Sequence, residues 1–339
     1  MLLKSAAIGQ TVQAMPKAVR FESVQHMVMI ERAIAMPRPV ATTIVVSGAS
    51  GVLGSALRRS LAARNLPVLQ LVRRLAGEGQ LTWNPTAASP FVDVTPIEGT
   101  LAAIHFSGAS IAGHRWTPAY KRELAASRVD STRALATALA GLRRPPRTLM
   151  VASAVGFYGN RGEEILDEWS APGTGFLPEL SQLWEDAAQP AVEAGIRVVH
   201  LRFGVILNRG PGAVGQMLPV FRMGLGGKLG NSRQWMSWVS IDDAIAAILF
   251  ALETPALTGP VNITAPNPVT NAEFTRALAH QLRRPAILPV PAVALRLMFG
   301  QMADEALLSS ARVMPSKLVK SGFQFSHPRV EKALAAILG

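Results

Sequence analysis

The 339-residue chain contains no cysteine and only two tyrosines. Without cysteine there is no disulfide, no thiolate nucleophile and no thiolate metal site. No uninterrupted apolar run is long enough to span a bilayer, so no membrane partner is expected. H-E-x-x-H and similar ligand spacings are missing and the six histidines are scattered, so no metal is expected. Acidic residues are in deficit, 22 against 34 basic ones, which leaves a net charge of +12. Such a balance can mark a nucleic-acid binder. Here the arginines are dispersed, as at Arg58, Arg59, Arg64, Arg143, Arg144, Arg147, Arg283 and Arg284, and no basic run is interleaved with aromatics. Solvated faces and an anionic small-molecule cofactor or substrate account for the charge, and nucleic acid is not expected as a partner. The lack of cysteine fits a reducing, cytoplasmic setting. The chain is 49% hydrophobic and 17% charged. A sizeable core is expected, in one large α/β domain or one domain with a smaller lobe.

The most informative stretch is residues 43–74. An apolar run, T-I-V-V-S, meets the glycine turn G-A-S-G-V-L-G. A helix-like segment follows, and then a second apolar run that ends at Arg73 and Arg74. That order predicts a strand, a phosphate-cradling turn, a helix and a second strand. Gly48 turns the chain after the strand, Gly51 lets the backbone approach a diphosphate, and Gly54 lets the helix pack on the sheet. The free N–H groups of the first helical turn, around Val52 and Leu53, would face the phosphates. At the end of the second strand an acid would grip the ribose 2′-hydroxyl of NAD. None occurs until Glu78. A guanidinium at Arg73 suits a 2′-phosphate instead, the alternative being that Arg73 and Arg74 begin a solvated loop. NADP(H) is therefore expected over NAD(H).

Further strands are predicted at 102–106, 148–153 and 197–203. Helices are predicted at 117–142, where Thr117 and Pro118 open the helix, and at 179–194. Residues 75–90 read as a loop. Regular alternation of strand and helix predicts an α/β fold, a doubly wound parallel sheet of Rossmann type with a smaller C-terminal α/β substrate lobe. Ligands in such sheets bind at the carboxyl ends of strands. Those ends are the glycine turn, Arg73, Ser107 with Gly108, Ser153, and 204–207. The organisation expected is an N-terminal extension over 1–40, a nucleotide-binding domain over 41–285 and a small helical domain over 286–339. The extension is expected to hold little stable structure or to precede the true start, near Met27 or Met36. Ser240 to Asp243 and Thr270 to Glu273 read as capping boxes, which assigns Asp242 and Asp243 to helix structure.

Several motifs in one order carry a resemblance. They are G-A-S-G-V-L-G, F-S-G-A-S-I-A-G-H-R-W-T, S-R-V-D-S-T-R, S-A-V-G-F-Y-G, F-R-M-G-L-G-G-K-L-G and R-Q-W-M-S-W-V-S-I-D-D. The chain resembles the NAD(P)-dependent epimerase-like family of the extended or atypical short-chain dehydrogenase/reductase superfamily. The resemblance covers about residues 43–335. P-V-P-A-V-A-L-R-L-M-F-G with S-G-F-Q-F is similar to that family's C-terminal domain of unknown function. The resemblance implies bound NADP(H), held by the glycine turn (Gly48, Ser50, Gly51, Val52, Leu53, Gly54), Arg73, Phe106, Ser107, Glu123, Arg128 and Ile206. Ser107 stands where a small residue such as alanine is usual. Gly108 joins them as a strand-end glycine that permits close approach.

Active members of the wider superfamily use Tyr-x-x-x-Lys, and this chain has none. Tyr120 and Tyr158 are followed four residues later by Leu124 and Gly162. With Glu185 aligned as the usual downstream acid, the places of the pair fall at Leu177 and Ser181. Ser153, as a hydrogen-bond partner for a substrate carbonyl, and Tyr158, as an unusual proton donor, are the catalytic candidates. Strand-end capping and packing are the alternative reading of both. Two functions are implied. One is an NADP(H)-dependent oxidoreductase or epimerase-like enzyme of a small polar substrate, a nucleotide sugar among the candidates. The other is a non-catalytic NADP(H)-binding sensor.

Overall fold

The computed structural model describes residues 42–339; the expected extension over 1–40 lies outside them. Seven strands form one parallel sheet: β1 (Ile44–Ser47), β2 (Val68–Val72), β3 (Gln80–Thr82), β4 (Ala102–His105), β5 (Thr148–Ala154), β6 (Arg197–Phe203) and β7 (Gly259–Ile263). Their spatial order is β7-β6-β5-β4-β1-β2-β3. Strand β1 lies inside the sheet; from it the chain winds outward to β3, then returns past β1 to β4. That reversal between β1 and β4 opens a crevice at the carboxyl edge, as in other doubly wound sheets. All four residues of β1 and all four of β4 are buried. Helices cover both faces of such a sheet, which is why its strands read as continuous apolar runs.

Helix α1 (Val52–Ala63) follows β1, and Leu57 and Leu61 point into the core. The single helix expected over 117–142 is two helices, α2 (Pro118–Ala126) and α3 (Val129–Ala140). Tertiary contacts break it. Ser127 Oγ accepts from the Ala109 N–H (3.0 Å), and the Arg128 guanidinium turns inward to the carbonyls of Ala109 (2.8 Å) and Leu124 (3.2 Å). The helix expected over 179–194 starts earlier and also divides, into α4 (Phe176–Asp186) and α5 (Gln189–Glu193). Pro190 lacks an N–H, and its ring opposes the carbonyl of Asp186, so the first helix stops there. Strand β3 falls inside the expected loop 75–90. It is held by its pairing with β2, Gln70 against Gln80, and by Leu81 packing on the core.

Beyond the sheet come α6 (Ala213–Arg222), α7 (Ile241–Glu253), α8 (Asn271–Leu282), α9 (Ala292–Phe299), α10 (Ser316–Lys320) and α11 (Val330–Leu338). Phe274 and Leu278 of α8 share a buried cluster with Val330, Ala333 and Leu334 of α11. Packing therefore runs across residue 285. The C-terminal region, expected to be helical, also contributes a short strand, Arg312–Val313, which pairs in parallel with Ile165–Leu166. Both capping signals hold. Thr270 and Glu273 form a reciprocal capping box, and Ser240 Oγ accepts from the Asp243 N–H (3.0 Å). Asp243 does more than cap: its carboxylate also accepts from the backbone N–H of Ser326 (2.7 Å) and His327 (2.9 Å). Among the described residues no helix is long and apolar enough to cross a membrane.

Candidate functional site

The glycine turn sits at the carboxyl end of β1. Gly48 has φ +66, and a Cβ there would lie 2.8 Å from the Phe106 carbonyl carbon. A Cβ on Gly54 would lie 2.2 Å from the Gly48 oxygen, whereas one on Gly51 would meet only that oxygen, at 3.4 Å. Gly48 and Gly54 are thus required by the protein itself. Gly51 is exposed, and the structure alone leaves room for a side chain there. Gly51 is the N-cap of α1, no side chain caps that end, and the first turn carries no acid. The open N–H groups of Val52 and Leu53, beside Ser50, keep their positive potential for an anion. A cleft of about 650 Å³ starts at Ser50, Gly51 and Val52 and continues between α1 and α7.

Arg73 lies directly past β2 and is exposed, as is Arg74. Phe106, Ser107 and Gly108 follow β4. Phe106 is edge-on to Phe203 at 6.3 Å, across the carboxyl edge of the sheet. Ile206 lies in the short strand Val205–Leu207 that continues from β6. Arg128 is 7% exposed and stacks over Trp184 at 5.1 Å. A Cβ on Gly108 would lie 3.4 Å from its guanidinium carbon. Burial pushes the Arg128 pKa down to about 10, still far above neutrality. Arg73, Arg74 and Arg128 form no ion pair among the described residues. A buried cation without a carboxylate is costly, and at Arg128 the carbonyls of Ala109 and Leu124 and the Trp184 ring offset that cost. Glu123 is exposed on α2 and makes no ion pair among the described residues.

Beneath the crevice, His105 ends β4 fully buried. Its Nδ1 is 2.6 Å from Ser47 Oγ and its Nε2 is 3.1 Å from Ser131 Oγ. Ser131 already gives its proton to the Ser127 carbonyl (2.7 Å), so Nε2 carries the imidazole hydrogen and Nδ1 accepts from Ser47. Burial pushes His105 down from 6.5 to about 3. A base that stays neutral in the fold lends stability that is full above pH 6.5 and is lost as pH falls toward 3. We expect the fall in thermal midpoint between those pH values to be shallower in His105→Gln than in the parent. Equal slopes would rule out His105 as a contributor.

Ser153 and Tyr158 belong to one buried network, in line with the capping and packing reading of both. Ser153 Oγ donates to Glu185 Oε1 (2.7 Å), so its proton is not free for a substrate carbonyl. Glu185 is in turn held by Arg202 through Nε and Nη2, both at 2.8 Å. Tyr158 has no exposed surface. Its hydroxyl donates to Asn262 Oδ1 (2.8 Å) and accepts from Arg202 Nη1 (3.0 Å). Burial raises its pKa to about 12, against the lowering effect of Arg202. A phenol enclosed in this way offers a substrate no exposed surface, which fits packing and hydrogen bonding. Arg202 also lies over the Phe157 ring at 3.4 Å.

The sequence pattern of the NAD-dependent epimerase/dehydratase family matches residues 44–264, and a domain of unknown function, DUF1731, matches 290–337. The chain is 44% identical over 292 residues to the epimerase family protein Mb2239 of Mycobacterium bovis, covering 86% of this chain and 96% of that one. It belongs to the NAD-dependent epimerase/dehydratase family. The crystal structure of the human epimerase family protein SDR39U1 with NADPH is similar at a TM-score of 0.80 and 33% identity. That match covers 87% of this chain and 98% of the human one. A nucleoside-diphosphate sugar epimerase from Corynebacterium glutamicum is similar at a TM-score of 0.73 and 29% identity, covering 96% of this chain and 66% of that one.

Within this family member, the place expected for the tyrosine, Leu177, packs beside a cluster built on Trp116, Tyr120, Leu124, Leu180 and Met302. Ser181 is buried on α4. Neither supplies a titrating group. Sequence reasoning missed Arg202, Asn262 and Glu305. Arg202 had a legible signal: it is a charge inside the apolar strand R-V-V-H-L-R-F, and buried charges are rare unless paired. Asn262 and Glu305 had none, because their partners lie 104 and 128 residues away.

Proposed function

We propose that this protein binds NADP(H) in the crevice between β1 and β4 and uses it as an oxidoreductase or epimerase-like enzyme on a small polar substrate. The observation that carries the reading is the uncapped N-terminus of α1 behind Gly48 and Gly54, with unpaired guanidinium groups at Arg73 and Arg128 on either side. Bound there, the nicotinamide would accept or donate hydride. The N–H groups of Val52 and Leu53 would hold the diphosphate, and Arg73 would hold the 2′-phosphate through charge-assisted hydrogen bonds. Arg128, fixed by two carbonyls, adds positive potential at the crevice. Phe106, Ser107, Gly108 and Ile206 would line it, with Glu123 at its rim. The similarity to a human relative crystallised with NADPH supports the phosphorylated cofactor. The similarity to a nucleoside-diphosphate sugar epimerase supports a nucleotide sugar as the substrate to try first.

Arg73→Ala is expected to weaken NADPH binding about 10- to 100-fold and to leave NADH binding within about twofold, since a charged hydrogen-bonded contact is worth about 1.5–3 kcal/mol. Calorimetry with both nucleotides checks this, and equal losses would remove the 2′-phosphate assignment.

One observation favours a second reading, in which the protein binds NADP(H) without catalysis and reports its redox state to a partner. Both catalytic candidates are tied into a buried network, and Leu177 replaces a titrating side chain. A positioned proton donor contributes about 10²- to 10⁴-fold in rate. NADPH consumption across carbonyl and nucleotide-sugar substrates decides between the two. Turnover supports the enzyme; tight NADPH binding with no turnover supports the sensor.

A further inference from the structure

Residues 292–307 lie across the starts of two helices. This segment comprises α9, then Gly300, then a π-helical turn, Ala303–Leu307. The Arg115 guanidinium donates to the Leu297 carbonyl (2.9 Å). Lys121, on the first turn of α2, donates to Gln301 Oε1. Gln301 Nε2 donates to Glu305 Oε1 (2.6 Å), and Glu305 Oε2 accepts from the Leu177 N–H (2.7 Å). Leu177 is the second residue of α4, whose N-cap, Gly175, has no side chain to cap with. A Cβ on Gly175 would lie 3.3 Å from the Glu305 carboxylate. One line of polar contacts therefore runs from α2, through this segment, to the open end of α4. A helix that follows a parallel strand starts where the strand ends, so both attachment points lie at the carboxyl edge, beyond β4 and β5.

The attachment is shallow. Within the segment only Leu295, Met302 and Ala303 are buried, while Val293, Leu297 and Met298 are each more than 60% exposed. Its polar contacts involve exposed or half-buried side chains except at Leu307, whose carbonyl accepts from the buried Gln234 Nε2 (3.2 Å). Few buried apolar contacts and exposed hydrogen bonds place a segment at the low end of local stability. The Glu305 carboxylate is the firmest polar hold, because it meets the N-terminal dipole of α4 and a free N–H together.

We propose that residues 292–307 are a strap over the ligand crevice and that Glu305 is its catch on α4. The strap swings away from α2 and α4 as a unit, hinged where the backbone of Val290 is held by Lys228 and Gly230, while the sheet stays folded. The inference rests on the NADP(H) reading above for the ligand it retains. Breaking the catch frees the strap, and bound NADPH then leaves faster.

The experiment uses the full chain. The lack of native cysteine allows paired nitroxide labels at Arg122→Cys and Val293→Cys, both exposed, with no background labelling. A narrow distance distribution is expected in the parent and in Glu305→Gln, whose amide oxygen still accepts the Leu177 N–H. A broad distribution is expected in Glu305→Ala, together with NADPH dissociation about fivefold faster by stopped flow. Gln301→Ala, which removes the link to Lys121 without touching α4, should broaden the distribution too and covers the case in which Glu305→Ala does not fold. A distribution as narrow as the parent's in both alanine variants overturns the strap. Failure of the parent to bind NADPH overturns the cofactor reading instead, and the label distances still decide the strap.

Discussion

Replacing Gly54 by alanine is expected to abolish NADPH binding and to destabilise the protein. A methyl at this position meets the Gly48 oxygen at 2.2 Å and the Ala49 Cα at 2.7 Å, both backbone atoms of the turn it must leave in place. Neither can rotate away, so the turn itself has to move. Overpacking of this kind costs about 1–3 kcal/mol of stability. The displaced turn no longer aims the N–H groups of Val52 and Leu53 at one point. The affinity lost is expected to be about 100-fold or more, equivalent to roughly 3 kcal/mol. Gly51→Ala separates fit from function. The protein leaves room for that methyl, so the thermal midpoint should stay near the parent's. If a diphosphate lies against the Gly51 backbone, binding should still fall sharply. A Gly51→Ala protein that binds NADPH as well as the parent would place the diphosphate elsewhere.

The second large effect is expected at Glu185. Its carboxylate receives two hydrogen bonds from Arg202 and one from Ser153, and the side chains of the pair are 11% and 4% exposed. Glu185→Ala would leave the Arg202 guanidinium buried without its counter-ion. Breaking such a pair from one side costs about 3–5 kcal/mol. For a chain of this size that corresponds to a drop in thermal midpoint on the order of 10 °C. Replacing both partners by leucine removes the stranded charge and should recover much of the loss. A midpoint for Glu185→Ala within about 2 °C of the parent would mean that water reaches the pair and solvates it. Tyr158 and Asn262 depend on the same arginine through Nη1, so the effect should extend along the carboxyl ends of β5, β6 and β7.

The sheet was legible in the sequence because its central strands are buried on both faces. I-V-V-S, A-A-I-H and R-V-V-H-L-R-F announce themselves as apolar runs. The glycine turn was legible because steric demand fixes residue type at Gly48 and Gly54. The helix starts at Thr117, Ser240 and Thr270 were legible because capping is local: each side chain accepts from an N–H three residues on. What failed was governed by distant partners. Nothing near Arg128 predicts that its guanidinium turns back to Ala109 and interrupts a helix. The three residues of β3 are too few to carry a pattern, and their strand form depends on pairing with β2. Ser153 and Tyr158 look like candidates by their place at and just past the end of β5, and their hydrogen-bond partners, Asn262, Arg202 and Glu185, come from separate elements. Glu305 belongs to the same class, a long-range cap on a helix that cannot cap itself.

The most direct measurement is calorimetric titration of the purified full-length protein with NADPH and, separately, with NADH. The account predicts saturable binding of one NADPH per chain and binding of NADH at least tenfold weaker. No heat of binding with either nucleotide, or equal affinity for the two, would contradict it.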